Sequence, residues 1–120
     1  MSEQDKAEII IKEVCRYYNT SFEKINVPCR GRKLVEPRQV IMYFMNKNTG
    51  LSLRMIGDYF NRDHATTIHS VRTVTNLIQM NGFAGKTNIM AGRIDFNIQQ
   101  FDVKKDADIF DRWVTSIPQL

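Results

Sequence analysis

Two apolar stripes of helical period stand almost end to end in the middle of this chain, and they restrict its fold more than any other feature. The first runs through "SLRMIGDYF", with Leu53, Ile56 and Phe60 on one side and Ser52 placed to cap it. The second runs through "DHATTIHSVRTVTNLIQM". There Asp63 is the natural N-cap, Ile68, Val71, Thr75 and Ile78 form the expected buried stripe, and Gly82 follows the end. Only a few residues lie between the two. Helices joined by so tight a turn form a helix-turn-helix unit.

The remaining segments supply what such a unit packs against. Ala7, Ile10, Ile11, Val14, Tyr17 and Tyr18 make one continuous stripe of a first helix, and Ser2 with Asp5 has the spacing of a capping box. The pattern breaks at Asn19, and a short helix carrying Phe22 and Ile25 is expected from Ser21. "NVPCRGRKLVEP" reads as a loop, with Pro37 in the first turn of the next helix. Val40, Ile41, Phe44 and Met45 are that helix's buried side, and Gly50 is expected as its left-handed C-cap. Beyond Gly82, "FAGKTNIMAGRIDFN" has scattered glycines and no strong period, so it reads as a loop. A last helix is expected in "DVKKDADIFDRWVTSI". The expected architecture is all-α, with residues 1–82 as one helix-turn-helix domain and 83–120 as an extension ending in a helix.

A 120-residue chain with 42% hydrophobic residues suits one small domain with a modest core. The apolar runs are too short to span a membrane. Cys15 and Cys29 have no metal-ligand spacing, which reads as two reduced thiols in a cytoplasmic protein. The net charge of +4 is unevenly placed. Residues 30–80 hold eight basic and three acidic side chains, while the flanking segments are close to neutral. An anionic partner of the middle third is the implied reason.

"NRDHATTIHS", residues 61–70, concentrates polar chemistry, and its histidines raise the question of a metal or a reaction. His64 and His69 are five apart, about 140° around a helix, so they do not face one site. No glutamate stands between them as a zinc-binding helix would need, and Asp63 beside His64 is poorly placed to orient an imidazole. "AGKT" at 84–87 lacks the first glycine of a phosphate loop, since Met80 stands there. We therefore expect no catalytic residue, metal, nucleotide or cofactor. A helix tip entering a major groove, by contrast, needs short, polar, firmly placed side chains in its first turn. Arg62, Asp63, His64, Ala65, Thr66 and Thr67 are such a set. A plainer reading of Thr66 and Thr67 is that they satisfy backbone groups of the first turn.

The stretch "EPRQVIMYFMNKNTGLSLRMIGDYFNRDHATTIHSVRTV" resembles the C-terminal DNA-binding domain of DnaA, the bacterial replication initiator family. The shared marks are Pro37-Arg38-Gln39, "GLSLRMIG" at 50–57, and Arg62-Asp63-His64 followed by Thr66 and His69. The resemblance covers about Ala7 to Ile78 and implies an all-α fold similar to the Trp repressor. It implies binding of double-stranded DNA at short AT-rich boxes. Base readers would be Asp63, His64, Ala65 and Thr66 with Arg54 in the major groove, and Arg30 and Arg32 of the basic loop in the minor groove. Backbone anchors would be Arg38, Gln39, Lys47, Arg62, Thr67, His69 and Arg72. The chain departs from the family pattern in having alanine at 65, where threonine is usual, and arginine at 54, where proline is frequent. It also lacks one residue before Arg62, where the family shows paired glycines. DnaA carries an ATPase module upstream that this sequence lacks; the sequence reads either as a fragment of a longer protein or as a stand-alone DnaA-like binder, and the unrelated tail after Gly82 favours the second. The alternative is an interaction module in which Phe110 and Trp113 of the tail anchor a protein partner or a second copy, against the plainer reading that Trp113 packs back onto the first helix.

Overall fold

The computed structural model describes the backbone of residues 1–28, 30–80 and 82–116, and side chains as far as residue 101. Six helices follow one another among the described residues: α1 (Glu3–Tyr17), α2 (Phe22–Ile25), α3 (Arg32–Asn48), α4 (Leu53–Asp58), α5 (His64–Met80) and α6 (Ala84–Ser116). No helix among them is long and apolar enough to cross a membrane. Helix α3 is the central strut, packed on α1 and α5, with α4 held against α5 and α6 against α1.

Local chemistry explains most boundaries. Ser2 and Asp5 form the expected capping box of α1: the Asp5 N–H donates to Ser2 Oγ at 3.1 Å, and the Ser2 N–H donates to Asp5 Oδ2 at 3.3 Å. Asn19, at φ 53°, turns the chain out of α1. Ser21 caps α2 and Ser52 caps α4. Gly82, at φ 66°, closes the segment after α5 in the left-handed conformation that glycine adopts without strain.

The core is built from the expected stripes. Ala7, Ile10 and Val14 of α1 meet Ile25, then Val40, Ile41, Phe44 and Met45 of α3, with Ile56 and Phe60 closing the far side. Each large side chain so buried contributes about 1.5–3 kcal/mol. Cys15 is a buried free thiol; Cys29 lies outside the described residues.

Four expectations are corrected. Helix α3 starts at Arg32, not near Pro37, with Gly31 as its N-cap. Leu34 and Val35 are partly buried and draw this turn onto the body, and a proline so early in a helix removes only one ladder bond. Gly50 is not a left-handed cap. Thr49 ends the helix at φ −126°, and the Gly50 N–H donates to Glu3 Oε2 at 2.6 Å, so a cross-chain carboxylate organises this turn. The buried stripe of α5 is Thr67, Ser70 and Val74, one residue earlier than the apolar pattern suggested, with Ile68, Val71, Thr75 and Ile78 only partly covered. Small residues face inward because α5 crosses its neighbours closely.

The fourth correction is the largest. The segment expected as a loop, residues 83–97, is helical from Ala84 onward and forms the first part of α6. Phe83, Thr87, Met90 and Ile94 are buried at i, i+4, i+7 and i+11, and this face packs on α1. Ile89 and Phe96, which are exposed, and Gly85 and Gly92 had hidden that period. The positions of Phe110 and Trp113 fall outside the described side chains.

The turn between α4 and α5 depends on Gly57. A Cβ at that position would lie 2.6 Å from the Arg62 carbonyl oxygen, 3.0 Å from that of Asp63 and 3.1 Å from Thr67 Oγ1. Two of these neighbours are backbone and cannot step aside cheaply. Gly57→Ala should therefore destabilise the protein by about 1–3 kcal/mol through overpacking. Urea denaturation followed by circular dichroism measures this, and an unchanged midpoint would mean that the turn is looser than described.

Candidate nucleic-acid interface

The helix-turn-helix turn is tied by its own backbone. The Phe60 and Arg62 N–H groups both donate to the Gly57 carbonyl, at 3.0 and 2.9 Å, and Asn61 takes a positive φ of 53°. Asp63, two residues on, sits just before α5. Its Oδ1 accepts from the Thr66 N–H and from Thr66 Oγ1, both at 3.0 Å. These two bonds, the backbone one foremost, hold the Asp63 carboxyl below its ordinary pKa of 3.8. The fixed carboxylate also stabilises the positive end of the helix dipole. The Thr66 hydroxyl is thereby committed as a donor and keeps its lone pairs for an incoming donor.

Asp63, His64 and Ala65 are exposed at this tip and Thr66 is half-exposed. Thr67, immediately after, is completely buried against Gly57. The expectation that Thr67 anchors a phosphate is corrected: its side chain is the floor under the tip. Farther along α5, His69 and Arg72 are exposed, and Arg54 is exposed on α4. The tip is thus free while its base is packed.

The basic loop before α3 is fastened to the same turn. Arg38 is only 8% exposed. Its Nη1 donates to the carbonyls of Ile25 at 2.9 Å and Val27 at 2.6 Å. Arg62 reaches the Val27 carbonyl too, through Nη2 at 3.1 Å, while its Nη1 donates to the Phe60 carbonyl at 2.9 Å. Arg38 is therefore corrected from phosphate anchor to internal clamp, and Arg62 does the same work from a half-buried position. Sequence reasoning missed both roles. A signal existed for Arg38, which shares the register of Ile41 and Met45 on the buried face of α3.

Arg30 is exposed on the loop. Arg32, expected beside it on the loop, instead stands exposed in the first turn of α3, with Nε 3.8 Å from Glu36 Oε1. An exposed pair of this kind is weak and easily exchanged for another anion. Lys47 is exposed near the other end of α3, its Nζ 5.8 Å from the centre of the Tyr43 ring, and Gln39 is half-buried on the same helix. Lys33, unremarked in the sequence reading, adds a further exposed cation beside Arg32.

The bacterial DnaA helix-turn-helix family matches this chain over residues 7–74. The chain belongs to that family. Its DnaA-type domain is a DNA-binding one of the kind found in proteins of replication initiation. Among curated relatives, the chromosomal replication initiator protein DnaA of Thermoanaerobacter sp. (strain X514) is 39% identical over 72 residues, which is 60% of this chain and 16% of that protein. A DnaA of Chlamydia pneumoniae is 44% identical over the same length and shares. The DnaA of Wolbachia pipientis wMel is 42% identical over 83 residues, 68% of this chain and 18% of its own. The chain thus spans under a fifth of the length of these relatives.

The Asp63 cap gives a pH signature. A carboxyl held low in the folded state adds stability above its unfolded value and loses it as pH falls through the folded one. The start of α5 should therefore lose this support progressively as pH falls through the ordinary carboxyl value of 3.8 towards the lower folded one. In an NMR titration the Thr66 amide and the Asp63 carboxyl should move together, with a midpoint under that value. A midpoint at or above it would show that the cap is not formed.

Proposed function

We propose that this chain is a sequence-selective binder of double-stranded DNA that works without a catalytic step. The first turn of α5 reads the major groove through Asp63, His64, Ala65 and Thr66, and Arg54 reaches the same groove from α4. Arg30 enters the adjacent minor groove, whose negative potential is deepest in AT-rich DNA, and Arg32 follows it from the first turn of α3. Lys47, His69, Arg72 and Gln39 hold the phosphates on either side. All of these residues lie within 1–82, the DNA-reading unit, and residues 83–120 form an extension.

One observation carries this reading. At the Val27 carbonyl, Arg62 ties the loop leading to Arg30 to the turn bearing Asp63 and His64, and Arg38 ties the same loop to α3. This shared tie supports a reading in which loop and tip contact two adjacent grooves together. The relatives named chromosomal replication initiators support a role at initiator-type boxes, in starting replication or in controlling transcription from such sites.

Gel shifts on cognate and scrambled duplexes across a salt series test the reading. With five or so phosphates neutralised, log K should fall against log salt with a slope of about −5. His64→Ala should cost about 1–3 kcal/mol at one base step only, and Lys47→Ala should weaken all duplexes alike. Arg38→Met should lower thermal stability yet leave the salt slope unchanged. Equal losses on both duplexes for His64→Ala would remove the base-reading role, and a shallower slope for Arg38→Met would return Arg38 to the phosphates.

A further inference from the structure

The extension and the first turn of α3 meet in a cleft that the α5 tip does not use. The cleft measures about 940 Å³ and opens between the turn after α1, the start of α3 and the start of α6. Three cations line it, Arg32 and Lys33 from α3 and Lys86 from α6. Glu36 is the one acidic side chain among its described lining residues, so positive charge is in surplus. The Glu36 carboxylate is divided between two of the cations: Oε1 lies 3.8 Å from Arg32 Nε, and Oε2 lies 3.5 Å from Lys86 Nζ. The Glu36 side chain is only 15% exposed, against 87% for Arg32 and 46% for Lys86, so an anion arriving from solvent meets the cations first. Lys33 is exposed and has no ion pair among the described residues. Lys86 is placed by more than its pair. Phe83 and Thr87, buried on either side of it, fasten the first turn of α6, and its Nζ stands 5.1 Å from the centre of the Phe83 ring.

We infer that this cleft holds a backbone phosphate of the duplex beside the minor groove, so that the first turn of α6 lengthens the DNA contact begun by the basic loop. The inference rests on the DNA-binding reading proposed above. Arg32 belongs both to the cleft and to the approach to the minor groove. That groove is only about 6 Å wide in B-form DNA and is walled by phosphates. A duplex that admits Arg30 therefore brings phosphates against Arg32 and Lys33. Lys86 shares a carboxylate with Arg32, so the two cations are close enough to clasp one phosphate or two successive ones. Ion pairs as exposed as theirs are weak, and exchanging the carboxylate for a phosphate costs little, while the counterions released from the DNA favour the exchange. Asn19 and Thr20, on the wall formed by the turn after α1, add neutral hydrogen-bonding groups. A contact of this kind adds affinity and register but carries no sequence information.

Fluorescence anisotropy of the full chain with labelled cognate and scrambled duplexes, across a salt series, tests the site. Lys86→Ala should weaken both duplexes alike, on the order of three- to tenfold at low salt, and make the slope of log K against log salt shallower by about 1. Lys33→Ala should act in the same direction, and Lys86→Arg should recover most of the loss. Glu36→Gln should tighten both duplexes several-fold, because it removes the negative charge that a phosphate must displace. Circular dichroism should show unchanged helical content for the lysine variants, whose side chains are exposed. If the native chain binds duplex DNA and both lysine-to-alanine variants keep its affinity and slope, the site is wrong and base reading by α5 is untouched. A loss confined to the cognate duplex overturns the site as well, since a phosphate contact cannot tell sequences apart. So does calorimetric binding of inorganic pyrophosphate that Lys86→Ala abolishes while duplex affinity stays the same, which would assign the cleft to a free anion. A native chain that binds no duplex removes the DNA-binding reading and this site together.

Discussion

The carbonyl oxygen of Val27 is the point on which this molecule turns. It accepts from Arg38, rooted in the central helix α3, and from Arg62, rooted in the turn between α4 and α5. Three pieces of chain that are distant in sequence are thereby held in one register. Charged donors make bonds of this kind worth about 1.5–3 kcal/mol each, and a guanidinium spans two carbonyls with little loss of freedom. These bonds tie the segment leading to Arg30 to the body.

The same logic explains why the tip of α5, the proposed reading element, is both exposed and firmly held. Exposure comes from the start of α5 projecting past its packed stripe. Rigidity comes from beneath, where Thr67 is buried against a glycine whose hydrogen atoms leave room for two carbonyls. Asp63 then fixes the first turn by accepting from Thr66. A side chain that must distinguish bases needs its backbone placed before the DNA arrives, because ordering it on contact would cost affinity.

Legibility in the sequence followed physical range. Helices with one apolar face and a strong cap were readable: α1 with its capping box, α3 with its stripe, and the Ser21 and Ser52 caps. The tip was readable because its polar residues precede an apolar run. What escaped depends on packing at a distance. Nothing local marks Gly50 as bound to Glu3, forty-seven residues away. The inward set of α5 was misjudged by one residue because small polar side chains, not the largest apolar ones, fit a close crossing. The first half of α6 was missed because two opposed apolar faces cancel any single period. Arg38 and Arg62 read as solvent-facing cations, and only their hydrogen bonds to distant carbonyls show them to be clamps.

A double-mutant cycle joining Arg30 and Arg62 tests the central claim most directly. Arg62→Lys keeps the charge but cannot bridge the Phe60 and Val27 carbonyls. If that bridge registers the loop against the tip, Arg30→Ala should weaken cognate DNA binding strongly in the native background and little beside Arg62→Lys. The coupling should exceed about 0.5 kcal/mol. Strictly additive losses would contradict the account, showing that loop and tip meet their partner independently.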